Sequence, residues 1–276
     1  MSEVGARRLR IGAVNYLNSK PLIEGLDDAA TDADLILDYP SRLADRLSDW
    51  DLDAALIPSV EYLRHENYLI VSDACVATRG PVLSVKLYGR RPLSEVRRLA
   101  LDEGSRTSVV LAQILLYERF SVSPTLEVLR IGQEIQQCSA DAILVIGDRA
   151  IPQPGESFVE TWDLGQEWTQ WTGLPFVFAV WAARPETDLE RLQKILIDAR
   201  DRGVSRLSAI ARREADVLGI EPSTALSYLH DNLYFRLETA ERAGLKLFYE
   251  LASKRDLVPR GKDIVFRHCA PAGQSG

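Results

Sequence analysis

LRIGAVNYLNSKP, residues 9–21, opens with the apolar run LRIGAV and then breaks into Asn15, Asn18 and Ser19 before Pro21. The run reads as a buried strand. The polar break reads as a turn into a helix, with Pro21 in the first turn, where a missing N–H costs nothing. The alternation continues outward. ADLILDY (33–39) is a second strand, and SRLADRLSDW (41–50) places Leu43 and Leu47 at i, i+4 with Ser41 as the expected N-cap. DAALIP (53–58) is a third strand, and Pro58-Ser59 opens the short helix SVEYLRHE. Strands separated by helices imply crossover connections, hence a parallel sheet covered by helices.

A second unit follows the turn Arg79-Gly80-Pro81. VLSVKLY (82–88), RRLALD (97–102), LEVLR (126–130) and DAILVIGD (141–148) read as strands, and TSVVLAQILLYERF (107–120) as an apolar-rich helix. A short helix is expected around Gln133–Gln137, and the Pro and Gly of IPQPGES (151–157) mark a surface loop. LPFVFAVWAAR (174–184) is a long apolar strand suited to return the chain to the first unit. From Glu186 onward the pattern is helical: LERLQKILIDARDRG (189–203) with Gly203 as C-cap, then helices over about 204–218, 223–235 and 238–254. The tail APAGQSG is expected to be disordered. The expected division is a first lobe of residues 1–83 and 182–276 and an inserted second lobe of 84–181, with crossings near 81–86 and 176–184.

Composition narrows the chemistry. The chain has 276 residues, 46% hydrophobic and 26% charged, which is enough apolar material for a full core. A net charge of −7 argues against nucleic acid, whose phosphates need a basic surface. Cys75, Cys138 and Cys269 are far apart and in no metal spacing, and His65, His230 and His268 are equally scattered. No metal site and no His-based triad is expected. There is no GxGxxG, P-loop or GxSxG pattern, so neither a nucleotide cofactor nor a serine hydrolase finds support, and no cofactor is expected. No apolar run reaches the roughly 18 residues of a membrane span, and MSEVGARRLRIGAVNYL lacks the apolar stretch of a signal peptide. A cytoplasmic protein with neither a membrane nor a nucleic-acid partner is expected; nothing in the sequence sets its oligomeric state. Asp27-Asp28 and Asp102-Glu103 read as solvated loop charges.

Ligands of open α/β sheets bind at the carboxyl ends of strands, which singles out five segments. NYLNSKP offers Asn18 and Ser19 beside free backbone N–H groups, or merely turns the chain. DEGSRTSVVL (102–111) gathers Ser105, Arg106, Thr107 and Ser108 at the start of a helix. These donors suit a carboxylate or phosphate, unless they form only a cap box with Arg106 in a surface salt bridge. GPVLSV (80–85) carries Ser84 in a strand, where a lone Ser is usually structural. VIGDRA (145–150) ends a strand at Gly147 and Asp148, the latter suited to a ligand hydroxyl or to capping. WTQWTGLPFVFAVW (168–181) sets Thr172 and Gly173 before a rigid turn. Trp168 and Trp171 could wall a pocket, although core packing is the simpler role.

Taken together, RIGAVNYLNSKPL, DAALIPSVEYLR, GPVLSVKLY, SRTSVVLAQILLYERF, IGDRA and DLGQEWTQWTGLPFVFAVWAAR resemble the chorismate dehydratases of the futalosine route to menaquinone. The six blocks appear in the family's order over residues 9 to 184 and extend more loosely through the C-terminal helices. The resemblance implies a two-lobed α/β fold of the type II periplasmic-binding-protein kind, with parallel-rich sheets flanked by helices and the ligand between the lobes. It implies a hydro-lyase that converts chorismate to 3-[(1-carboxyvinyl)oxy]benzoate without a metal or cofactor. It further implies that Asn18 and Ser84 are the catalytic residues. Ser84 and Ser105–Ser108 would meet substrate carboxylates, and Gly147-Asp148 and Thr172-Gly173 would line the cleft wall. Two other readings are a non-catalytic small-anion binding protein of the same fold and the sister enzyme, 1,4-dihydroxy-6-naphthoate synthase.

Overall fold

All eight side chains of FVFAVWAA, strand β10 (Phe176–Ala183), are buried in the computed structural model, which describes residues 8–28 and 33–266. A run apolar on both faces belongs in the middle of a sheet, and β10 lies between β3 (Ala54–Pro58) and β4 (Leu69–Thr78), antiparallel to both. β1 (Leu9–Val14) pairs in parallel with β2 (Ala33–Asp38) and β3, and β11 (Tyr234–Arg236) closes the other edge. The first sheet therefore runs β11-β4-β10-β3-β1-β2. Residues 176–181, placed in the second lobe by the sequence reading, belong to this sheet. An apolar run marks a central strand without saying which of two sheets holds it.

The second sheet has the order β7-β6-β8-β5-β9, built from β5 (Val85–Gly89), β6 (Arg98–Asp102), β7 (Thr125–Leu129), β8 (Ala142–Ile146) and β9 (Glu160–Asp163). Each sheet is mixed. Two pairings in the first and two in the second are parallel, and the rest are antiparallel because β5, β10 and β11 run against their neighbours. The chain passes from first to second sheet over 79–84 and returns through α4 (Leu164–Thr172) into β10.

The helices pack where their apolar residues dictate. α1 (Pro40–Ser48) buries Leu43, Ala44 and Leu47; Pro40 takes its first position, so Ser41 lies inside the helix and is not its cap. α2 is Ser59–Arg64 and α3 is Thr107–Phe120. α3 buries a wide face over its first ten residues and leaves residues 117–120 exposed. α5 (Leu189–Val204) continues past Gly203. A Cβ there would stand 1.9 Å from the Pro21 carbonyl oxygen, so Gly203 serves close packing on the turn after β1 and not helix termination. α6 (Leu207–Leu218), α7 (Pro222–Ser227) and α8 (Thr239–Lys254) complete the chain, with one π-helical turn, Tyr228–Asn232, directly after α7. The tail 270–276 lies outside the described residues. Among those described, no helix is long and apolar enough to cross a membrane.

Candidate functional site

A cavity opens between the two sheets. Its walls come from strand ends. β1 leads into a 3₁₀ turn, Leu17–Leu22, that carries Asn18 and Ser19; β3 contributes Pro58; β6 leads through Ser105 and Arg106 to the first turn of α3; β8 leads to Gly147; and Ser84 precedes β5. Val14, Val76, Val82, Val85, Ile146 and Phe178 form its apolar lining. The arrangement is an apolar hollow with a few convergent polar groups, the usual form of a small-molecule site.

Two sets of donors face the hollow. On one side the Ser19 hydroxyl donates to Asn18 Oδ1 (2.9 Å), and the Tyr228 hydroxyl donates to Ser84 Oγ (2.7 Å). On the other side the first turn of α3 presents Thr107 and Ser108 with backbone N–H groups that have no partner within the helix. Thr107 Oγ1 accepts from the Val60 N–H (3.2 Å) and lies 3.4 Å from Ser59 Oγ. Ser59 spends its own proton on the Val177 carbonyl (2.7 Å), so Thr107 is the donor in that longer contact. The helix start is thereby fixed to the first sheet.

Ser84 is held by unusual backbone. Leu83 has φ +65°, a left-handed conformation disfavoured for a side chain of its kind. The Asp163 carboxylate stabilises it, accepting from Leu83 N–H (2.7 Å), Val82 N–H (2.9 Å) and the Gly165 and Gln166 N–H groups that open α4. Gly147, at φ +73°, is required where it stands, since a Cβ would meet the Tyr16 ring at 2.7 Å. Asp148, next to it, bridges the sheets by accepting the Leu17 N–H (2.9 Å). Burial pushes its carboxyl up to about 6, against the pull of that hydrogen bond and of Lys20. Burial also raises the Tyr16 and Tyr228 phenols well above the usual range, so both stay protonated.

A family model described as menaquinone biosynthesis matches residues 9–254. The chain belongs to the menaquinone biosynthesis family. It is 37% identical over 229 residues to a chorismate dehydratase of Thermus thermophilus, covering 76% of this chain and 83% of that one. Among solved structures it is similar to a protein of Archaeoglobus fulgidus (TM-score 0.72, 15% identity, 92% of this chain and 100% of that one). It is also similar to the periplasmic aliphatic sulphonate binding protein of Escherichia coli (TM-score 0.62, 15% identity, 94% and 91%). At that identity these two likenesses establish the fold, which is periplasmic-binding-protein-like.

Within this family member the structure gathers Asn18, Ser19, Ser84, Ser105, Arg106, Thr107, Ser108 and Gly147 around one cavity. Four sequence expectations change. Arg106 lines the hollow, but its guanidinium is held by Asp45 (2.6 Å) and Glu61 (3.0 Å), so its charge is already balanced. Asp148 faces a second hollow behind Tyr16, with Asp102 and Arg149. Thr172 and Gly173 are not in the cleft wall. Thr172 Oγ1 donates to the Trp168 carbonyl, and Gly173, at φ +70°, ends α4, because the helix runs up to them. Asp102 is buried, not solvated; it accepts from Arg149 (2.6 Å) and from the Ile146 N–H (3.1 Å), tying strand ends β6 and β8 together. Trp168 packs in the core against Phe176 and Phe248, and Trp171 is exposed. Sequence reading missed Tyr228 and Asp163. Asp163 had a local signal, an N-cap before LGQ; Tyr228, 144 residues from Ser84, had none. Among the described residues no cluster of three or more His, Cys, Asp or Glu is placed to hold a metal ion.

Proposed function

We propose that this cavity binds chorismate and that the protein removes water from it to give 3-[(1-carboxyvinyl)oxy]benzoate, as a hydro-lyase of menaquinone biosynthesis. One observation carries the reading. Hydroxyls, an amide and a helix N-terminus from both sheets converge on an apolar hollow whose one cationic side chain among the described residues, Arg106, is already neutralised. Neutral dipoles of this kind hold carboxylates without strong point charges. The membership and the 37% relative favour the dehydratase over a non-catalytic binder or the naphthoate synthase.

The chemistry asks little of the protein. The ring carbon bearing the enolpyruvyl ether loses its proton, the electron pair forms a ring double bond, and the neighbouring hydroxyl leaves. Proton and hydroxyl together make water, and no oxidant is needed. Aromatisation drives the step, so positioning and hydrogen-bond donors suffice. Asn18 is assigned to the side of the abstracted proton. A neutral amide is a poor base, which makes the substrate's own enolpyruvyl carboxylate a suitable acceptor. Ser84, Ser108 and the backbone N–H of Thr107 are assigned to substrate oxygens. The two sheets act as lobes that close on the ligand and exclude water. A cytoplasmic location goes with this reading, because a dianion does not cross a bilayer unaided.

Incubation with chorismate, followed in the ultraviolet for the aromatic product, tests the function. Asn18→Ala and Asn18→Asp are expected to abolish turnover while leaving the thermal melt unchanged. Full activity in either variant overturns the role of Asn18; an inactive parent overturns the reaction.

A further inference from the structure

Tyr228 does not line the cavity, is completely buried, and yet touches what does. It begins the π-helical turn after α7, in a stretch whose sequence points to no site. Such turns are rare and cluster at functional positions. Its hydroxyl donates to Ser84 Oγ at 2.7 Å. The phenol is thus a direct partner of Ser84, one of the two residues assigned to the reaction. The far end of the same turn is anchored as well, Asn232 Nδ2 donating to the Pro81 carbonyl (3.0 Å).

Donor and acceptor arithmetic gives the network a direction. The phenol gives its own proton to Ser84 Oγ. One lone pair of the serine is thereby filled, and its proton is left for the hollow that Ser84 lines. We propose that Tyr228 is a positioning residue for the dehydration: it orients the Ser84 hydroxyl as a donor to the substrate. The inference rests on the cavity being the dehydration site. A tyrosine serves where a serine or water would not, because its ring fills the core while its rigid hydroxyl spans the gap.

The test compares the parent with Tyr228→Phe, which keeps the ring. Chorismate turnover in Tyr228→Phe is expected to fall roughly 10- to 100-fold in kcat with KM within about threefold, the signature of a lost orientation and not of lost binding. Replacing Tyr228 by 3,5-difluorotyrosine keeps the shape and the hydroxyl but makes the phenol more acidic. A loss of kcat at alkaline pH should then set in where the parent stays active, a readout that packing alone leaves still. The fluorinated protein also answers the question should Tyr228→Phe fail to fold. An active parent with an unimpaired Tyr228→Phe, or an unchanged pH profile in the fluorinated protein, overturns the inference alone. A parent that leaves chorismate intact overturns it together with the functional reading.

Discussion

The two walls of the cavity present donors by different means. The wall around Asn18 and Ser84 is made of side chains whose directions are set by distant partners, Tyr228 and Asp163. The wall at Ser105–Ser108 is the start of a 14-residue helix, and its main donors are backbone N–H groups fixed by the helix itself. The first wall can be disarmed by changing one atom far from the ligand. The second tolerates side-chain loss, because the peptide groups remain.

Among the residues that support the two walls from outside, Asp163→Asn should show the largest effect. Four N–H groups converge on the two carboxylate oxygens. An amide can serve only part of them and turns an NH₂ against the rest, at a cost of about 2 kcal/mol in stability. With Leu83 released from its left-handed conformation, Ser84 loses its place, and kcat should drop by about two orders of magnitude. Activity within a few-fold of the parent would show that the strained turn does not govern this wall.

Asp148→Asn probes the other support of the same wall. Its carboxyl titrates near 6 when folded and in the ordinary aspartate range when unfolded, so the folded chain holds the proton more tightly. Stability therefore declines as pH rises through that window and stays lower above it. The asparagine variant still accepts the Leu17 N–H and escapes this loss. Its melting temperature should exceed the parent's at pH 8, by up to about 3 kcal/mol of stability, and converge with it near pH 4. A gap that does not change with pH would break the argument. Ser108→Ala should do least: KM for chorismate should rise by less than about tenfold with kcat unchanged, since the N–H groups of α3 stay. A collapse of kcat would make the two walls alike.

The sequence made the helix wall legible and the side-chain wall only half so. The apolar run after Gly104-Ser105 defines α3 over 107–120, the span observed. β4 was not read, because Ser72 and Asp73 interrupt LIVSDACVAT; in the fold Asp73 meets the Arg200 guanidinium at 2.9 Å, a partner 127 residues away. Arg106 advertised a cation, but Asp45 and Glu61, which balance it, approach from other helices. Ser41 and Gly203 misled because the same residue types serve both caps and packing. What local pattern encodes was visible; what depends on convergence of remote segments, as with Tyr228, was not.

The balanced charge of Arg106 has a bearing on turnover. Dehydration leaves both carboxylates of the substrate in place, so reactant and product carry the same charge. A free guanidinium would grip either one alike and slow departure. A pocket that relies on peptide and hydroxyl dipoles distinguishes the flat aromatic ring from the puckered diene by shape, and lets the spent molecule go.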